Sequence, residues 1–444
     1  MLVTKAIGLA KKVKKKLKET IVSRQPVYLS PVRRIERVAV RERVAAMTFD
    51  DGPCRLPANI DGDDRALTLR LVETLEKYGA KGTFDVVGTT AGNYPDVQGD
   101  TGSVNWSGCA YDHYPDFEKD ADGGVVACPE LTARILAGGH EITSHTYRHV
   151  LFGPKPLVYG KRRPYDTLEE VTQDLKALHA HMQSQFGYTI RLSRPPHYVD
   201  RTKDGFSAYD AYAKMGYQYL GASFDGAGWL PLATVEDEVQ AMVTPLKAAL
   251  EQDADALCGQ IIFQKDGYNM ARRAPVAEGL DRQLALLREY GYEVVTVSEL
   301  MERCPFTDVS PEDELFADAV KVLNAGFCIA FRDNTLRPEA ALTRGEMAMI
   351  LYGMRTVRRR IEMMKEKHAP AGDVSCRHAY SAAVEAAVQS GAMELSGRHF
   401  RPNDRVTPAE AQKALSAYFC TDAPIPESMT HAAFIHALAK CCDV

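Results

Sequence analysis

Between residues 44 and 302, short apolar runs alternate with longer amphipathic stretches, and that rhythm leaves few folds open. Val44 to Thr48, Thr83 to Val87, Glu141 to Ser144, Ile190 to Arg194, Tyr219 to Phe224, Gln260 to Phe263 and Glu293 to Val297 read as strands. Helical patterns separate them at Leu67 to Tyr78, Pro129 to Ala137, Thr167 to Phe186, Ser207 to Met215, Thr234 to Glu251 and Ala277 to Tyr290. Strands returned by helices run parallel, because a parallel return needs a crossover. The expectation is an α/β fold, a distorted (β/α)7-type barrel, with functional side chains at the C-terminal ends of its strands.

One connection breaks the rhythm. Thr89 to Val126 is rich in Gly and Asp, carries Tyr94, Trp106, Tyr111, Tyr114 and Phe117, and lacks helical periodicity. A loop of that length reads as a cover over a site, its aromatics either stacking on sugars or forming a small core of their own. Cys109 and Cys128 might bridge this insertion, although ten cysteines without CxxC spacing read mainly as buried thiols.

The flanks differ from the barrel and from each other. Residues 1–43 hold 13 Lys/Arg against 3 Asp/Glu, while the remainder holds 41 against 56. Within this basic arm Val3, Ile7, Ala10, Val13, Leu17 and Ile21 recur at helical spacing, so an amphipathic helix is expected. It could touch an anionic membrane surface or remain a solvated arm, and nucleic acid is not expected as a partner. The arm lacks the pattern of a secretory signal and no window is long and apolar enough to span a membrane, which leaves a cytoplasmic location open.

Residues 303–444 repeat at an offset of 64 to 65: "FTDV" at 306–309 returns as "AGDV" at 371–374, and "LRPEAALTRGEM" at 336–347 as "FRPNDRVTPAEA" at 400–411. Thr343 and Thr407 each precede a Glu by three positions, the signature of a capping box. An all-α module of two repeats plus a partial third is expected.

Chemistry-bearing residues gather at the predicted strand ends. "TFDDGP" places Asp50 and Asp51 after the first strand, "SHTYRH" places His145 and His149 after the third, and "SRPPHY" places Arg194 after the fourth. Two imidazoles and one carboxylate make a facial set that leaves coordination positions open, and a helical turn there would bring both imidazoles to one side.

The order TFDDGP, SHxxxH, RPPH resembles the polysaccharide deacetylase family, the NodB homology domain, over residues 44–302. The resemblance implies hydrolysis of acetyl groups from an N- or O-acetylated polysaccharide. It further implies a divalent metal, Zn2+ or else Co2+, Ni2+ or Mn2+, on Asp51, His145 and His149. Asp50 would be the base, oriented by Arg194, and the backbone N–H at His197 would help hold the oxyanion. In "DGAGW", 225–229, Asp225 and Trp229 would contact substrate, but Gly228 stands where the family has an Asp. In "IIFQKDG", 261–267, Lys265 stands where the family has its acidic His. Two other readings follow from these departures: a catalytically impaired glycan- or wall-binding scaffold, and a hydrolase of small non-glycan amides.

The tail resembles S-layer homology repeats, which implies noncovalent attachment to cell-wall polymer and, if the chain is exported, a cell-surface location. Thr343, Arg344 and Glu346 match the binding signature of those repeats, whereas Pro408 and His431 replace its Arg in the other two.

Overall fold

The computed structural model describes residues 27–58, 63–90, 123–154, 163–269, 273–420 and 427–442. The basic helix expected near the N-terminus and most of the 89–126 insertion, Cys109 included, lie outside the described residues.

The centre is a nine-stranded parallel sheet curled into a barrel. Its strands are β1 (Arg34–Ile35), β2 (Val44–Asp50), β3 (Thr83–Val86), β4 (Glu141–Ser144), β5 (Leu192–Ser193), β6 (Gln218–Leu220), β7 (Phe224–Asp225), β8 (Ile261–Lys265) and β9 (Glu293–Val295). They lie in the order β1-β6-β5-β4-β3-β2-β8-β7, with β9 also paired to β2. Strand β2 is buried along its whole length, as a strand covered on both faces must be. Around the sheet pack α1 (Leu67–Lys77), α2 (Pro129–Ala137), α3 (Leu168–Phe186), α4 (Ala208–Met215), α5 (Val235–Gln252) and α6 (Val276–Glu289), followed by α7 (Val297–Arg303).

Two differences from the sequence reading bear on the site. The expected strand Tyr219 to Phe224 is split, because the chain there crosses from one edge of the sheet to the other. Gly221 N–H donates to Ile35 O (2.8 Å) and Ser223 N–H to Ile261 O (3.0 Å), closing the ring without a ladder. A Cβ at Gly221 would meet the Glu36 side chain and Ile35 O, so the crossing needs glycine. Second, residues 27–43, read from their charge as part of a basic arm, are built into the fold. Here β1 pairs with β6, and Leu29, Val32, Ile35 and Val38 are buried.

The tail comprises α8 (Phe316–Asn324), α9 (Arg344–Glu366), α10 (Ser381–Gln389), α11 (Pro408–Phe419) and α12 (His431–Cys441). The repeat is visible in its hydrogen bonds. Asp308 accepts from the N–H groups of Leu336 (2.7 Å) and Arg337 (2.8 Å), and Asp373 does the same for Phe400 (2.8 Å) and Arg401 (2.7 Å). Capping boxes start α9 at Thr343/Glu346 and α11 at Thr407/Glu410, while Thr430 caps α12 without a partner acid. Arg344 ties the repeats together: it donates to Phe400 O (2.9 Å) and Glu394 O (2.7 Å), pairs with Glu410 and lies over the Phe400 ring.

Barrel and tail share one apolar core. Leu29, Ile35, Val44, Leu192, Leu220, Ile261 and Val295 from the barrel join Phe306, Phe331, Met347 and Phe400 from the tail. The buried Arg33 guanidinium spans the joint to Pro305 O (2.7 Å) and Asn334 Oδ1 (2.9 Å), Leu29 N–H donates to the Tyr380 hydroxyl (3.0 Å), and Arg360 pairs with Asp210. Among the described residues no helix is long and apolar enough to cross a membrane.

Truncation after Arg303 strips that core's cover, so the shortened chain should lose its cooperative melting transition and aggregate, as read by calorimetry and light scattering. Arg344→Ala leaves carbonyls and Glu410 without their donor. It should cost roughly 1.5–3 kcal/mol in urea unfolding of the full chain.

Candidate active site

Asp50 closes β2, and Asp51 follows in a left-handed backbone conformation (φ 84°) that turns its carboxylate back over the strand ends. Both are buried. Asp51 Oδ1 lies 3.3 Å from His145 Nε2 and 3.2 Å from His149 Nε2, and the three side chains offer ligand atoms within 4.8 Å of one another.

The imidazoles meet through a loop rather than the helical turn that their spacing allowed. Thr146 (φ 77°) and His149 (φ 53°) adopt left-handed conformations. The loop is held by buried Asp174, which accepts from Tyr147 N–H (2.7 Å), Arg148 N–H (3.2 Å) and the Tyr165 hydroxyl (2.7 Å). His149 N–H donates to the Thr146 hydroxyl at 2.8 Å.

Arg194 is buried and engaged on all sides. It pairs with Asp50, meets the Thr48 hydroxyl at 3.1 Å through both terminal nitrogens, and donates to Gly221 O (2.8 Å). Burial pushes the Asp50 carboxyl up to about 7, with the Arg194 and His145 charges pulling it back. A carboxyl poised there is suited to accept a proton at neutral pH. Burial disfavours charge on His145, yet the Asp50 and Asp85 carboxylates outweigh it and push the imidazole up to about 10. The surroundings of the His145 ring therefore favour a cation. One carboxylate oxygen and two imidazole nitrogens converging from one side fit a divalent transition ion with open positions.

Asp50, Asp51, His145, His149, Arg194, His197, Asp225, Trp229 and Lys265 all line one cavity of about 490 Å³. Tyr198, Phe224, Trp229, Phe263 and Tyr268 supply its apolar wall. Asp225 orients Trp229, accepting from its indole N–H at 3.1 Å and from Ala227 N–H at 2.9 Å. His197 sits in a left-handed turn (φ 53°), its ring 5.8 Å from that of His149. Lys265, at the end of β8, pairs with Asp51 Oδ2. Gly228 faces elsewhere: a Cβ there would meet Met242 (3.5 Å) and Gln264 Oε1 (3.6 Å), on the helix side of β8. Both ends of the long insertion reach this rim, since Thr89 N–H donates to Tyr147 O (2.7 Å) and Gly124 N–H to Pro53 O (2.9 Å).

Thr343, Arg344 and Glu346 lie apart from this cavity, at the start of α9. All three make intramolecular bonds: the capping box joins Thr343 to Glu346, and Arg344 faces the second repeat.

Motif reading missed Asp85, Asp174 and Thr48. Asp85 had a signal, an acid inside the apolar strand "TFDV", and it pairs in register with Asp50 across β2 and β3. Asp174 had none, because its role depends on where α3 packs.

Residues 37–220 match the family model described as polysaccharide deacetylase, and residues 305–348 that of the S-layer homology domain. A polysaccharide deacetylase domain is thus followed by an S-layer homology domain. The chain is similar to the peptidoglycan-N-acetylglucosamine deacetylase PgdA of Listeria monocytogenes, at 25% identity over 65% of this chain and 46% of that protein. It is also 25% identical to the peptidoglycan-N-acetylglucosamine deacetylase of Bacillus cereus, over 59% of this chain and 89% of that one. The solved structure of peptidoglycan deacetylase PdaC from Bacillus subtilis aligns with a TM-score of 0.37 at 20% identity, covering 60% of this chain and 91% of that one. The chain spans about half the length of the Listeria relative it matches.

His145→Ala and His149→Ala should each abolish stoichiometric retention of zinc after dialysis, as read by elemental analysis, while circular dichroism stays that of the parent. Each removes one of three donors.

Proposed function

We propose that this chain is a metal-dependent hydrolase that removes acetyl groups from an N- or O-acetylated cell-wall glycan. The observation that carries the reading is the convergence of Asp51, His145 and His149 beside a second, arginine-held carboxylate in one apolar-walled cavity. The names of the similar proteins support peptidoglycan as the substrate class. A divalent ion, Zn2+ by the chemistry of the donors, supplies Lewis acidity that polarises the acetyl carbonyl and acidifies a water.

The chain's own residues supply the rest. Asp50 takes the proton from the attacking water, and Arg194 keeps its carboxylate aimed. The backbone N–H at His197 steadies the developing oxyanion. Trp229, held by Asp225, forms a wall against which a sugar face packs. Lys265 is the acid that protonates the leaving amine, and its bond to Asp51 keeps its ammonium inside the cavity. The tail attaches the enzyme to wall polymer at the cell surface, with Thr343, Arg344 and Glu346 shaping the first repeat.

The impaired-scaffold reading draws on the surroundings of Lys265: its ammonium is paired with Asp51, and Gly228 offers no carboxylate. Acetate release decides between the two. The parent should release acetate from N-acetylated peptidoglycan fragments and stop when chelated. Activated aryl acetates should turn over faster, because a phenolate leaves without a proton and an amine does not. Lys265→Met should then lower kcat on the amide about 100-fold or more while sparing the aryl ester. Aryl-ester turnover with no acetate from any glycan would favour the scaffold.

A further inference from the structure

Behind two of the three converging side chains stands a buried charge that is not itself one of the three. Asp85, fully buried, fixes one oxygen on the Thr143 hydroxyl (2.6 Å) and sets the other 2.8 Å from His145 Nδ1. That nitrogen donates its hydrogen bond to Arg194 O (3.0 Å) with the Asp85 charge close beside it, while Nε2 on the far side faces Asp51. Lys265 holds Asp51 Oδ2, while Oδ1 faces both imidazoles.

Asp85 also falls in a second group of possible ligand atoms, with Asp50 and His145. Its oxygen stands 2.8 Å from Nδ1 as a close ion-pair contact, and the Asp50 oxygen nearest Arg194 is taken. An ion about 2.1 Å from each would hold those atoms about 3 Å or more apart. Asp85 therefore acts on the ring and not on an ion of its own.

The two charges act in opposite senses. A carboxylate behind an imidazole holds the Nδ1–H tautomer and makes Nε2 a stronger donor. An ammonium on a carboxylate draws density from it and repels a neighbouring dication. We propose that Asp85 and Lys265 are opposed positioning residues that set the strength of the metal site, one raising the donor power of His145 and the other lowering that of Asp51. The inference rests on the metal-dependent reading above and adds residues that the motif does not contain. Its consequence is a site whose affinity for its ion is set by the balance of the two charges.

Zinc affinity of the full chain, measured by competition with a chromophoric chelator and cross-checked by Co2+ absorption, tests this without any turnover. Asp85→Asn should weaken zinc binding about 10–100-fold, and Lys265→Met should strengthen it by about the same factor. The double variant should return towards the parent, and Lys265→Arg, which keeps the charge, should stay near it. Melting curves identify folded variants, and the Lys265 arm is decisive by itself if Asp85→Asn does not fold. Weaker or unchanged binding in Lys265→Met, or parent-like affinity in Asp85→Asn, overturns the proposal while the deacetylase reading stands. A parent that binds no zinc overturns both.

Discussion

A guanidinium buried among strand ends has to be neutralised and fully hydrogen-bonded, and the barrel is organised around meeting that demand for Arg194. Its partners come from far apart in the chain: Asp50 and Thr48 from β2, and the carbonyl of Gly221 from the crossing between β6 and β7. The same arginine's own carbonyl receives His145 Nδ1. One charge thereby couples the Asp50 carboxylate, the His145 ring and the closure of the sheet. Changing it would disturb the fold and the chemistry together.

The tail is bonded to this scaffold rather than strung behind it. Residues 28–34 run between the two, with Leu29 N–H on the Tyr380 hydroxyl and Arg34 N–H on Arg332 O. A shared apolar core means that whatever the repeats bind fixes the direction in which the cavity opens. The inward-facing Arg344 fits this picture, since its guanidinium joins repeat to repeat.

The departures at positions 228 and 265 have separate structural meanings. Gly228 borders Met242 and Gln264 behind the sheet, so a carboxylate grafted onto this backbone would face an amide oxygen and not the lysine. Lys265 points into the cavity and shares Asp51 with the imidazoles.

The sequence by itself determined what depends on neighbours within a turn or two. Alternating apolar runs specified parallel strands and helices, Thr343 and Thr407 with their glutamates specified where two tail helices begin, and "TFDDGP" and "SHTYRH" named the side chains that line the cavity. Tertiary structure alone decided the rest, because the deciding partner lies far off in the chain. The basic composition of residues 1–43 concealed that Arg34–Ile35 pair with β6 and that Leu29 bonds to the tail. The run Tyr219 to Phe224 had strand propensity throughout, yet its middle bridges two edges of the sheet. Arg344 matched a binding signature, and only the packing of the second repeat turned it inward. Asp85 became part of the site through its register against Asp50, and Asp174 through the packing of α3 under the histidine loop. Local pattern encodes propensity and periodicity, whereas long-range pairing selects among the partners that propensity leaves open.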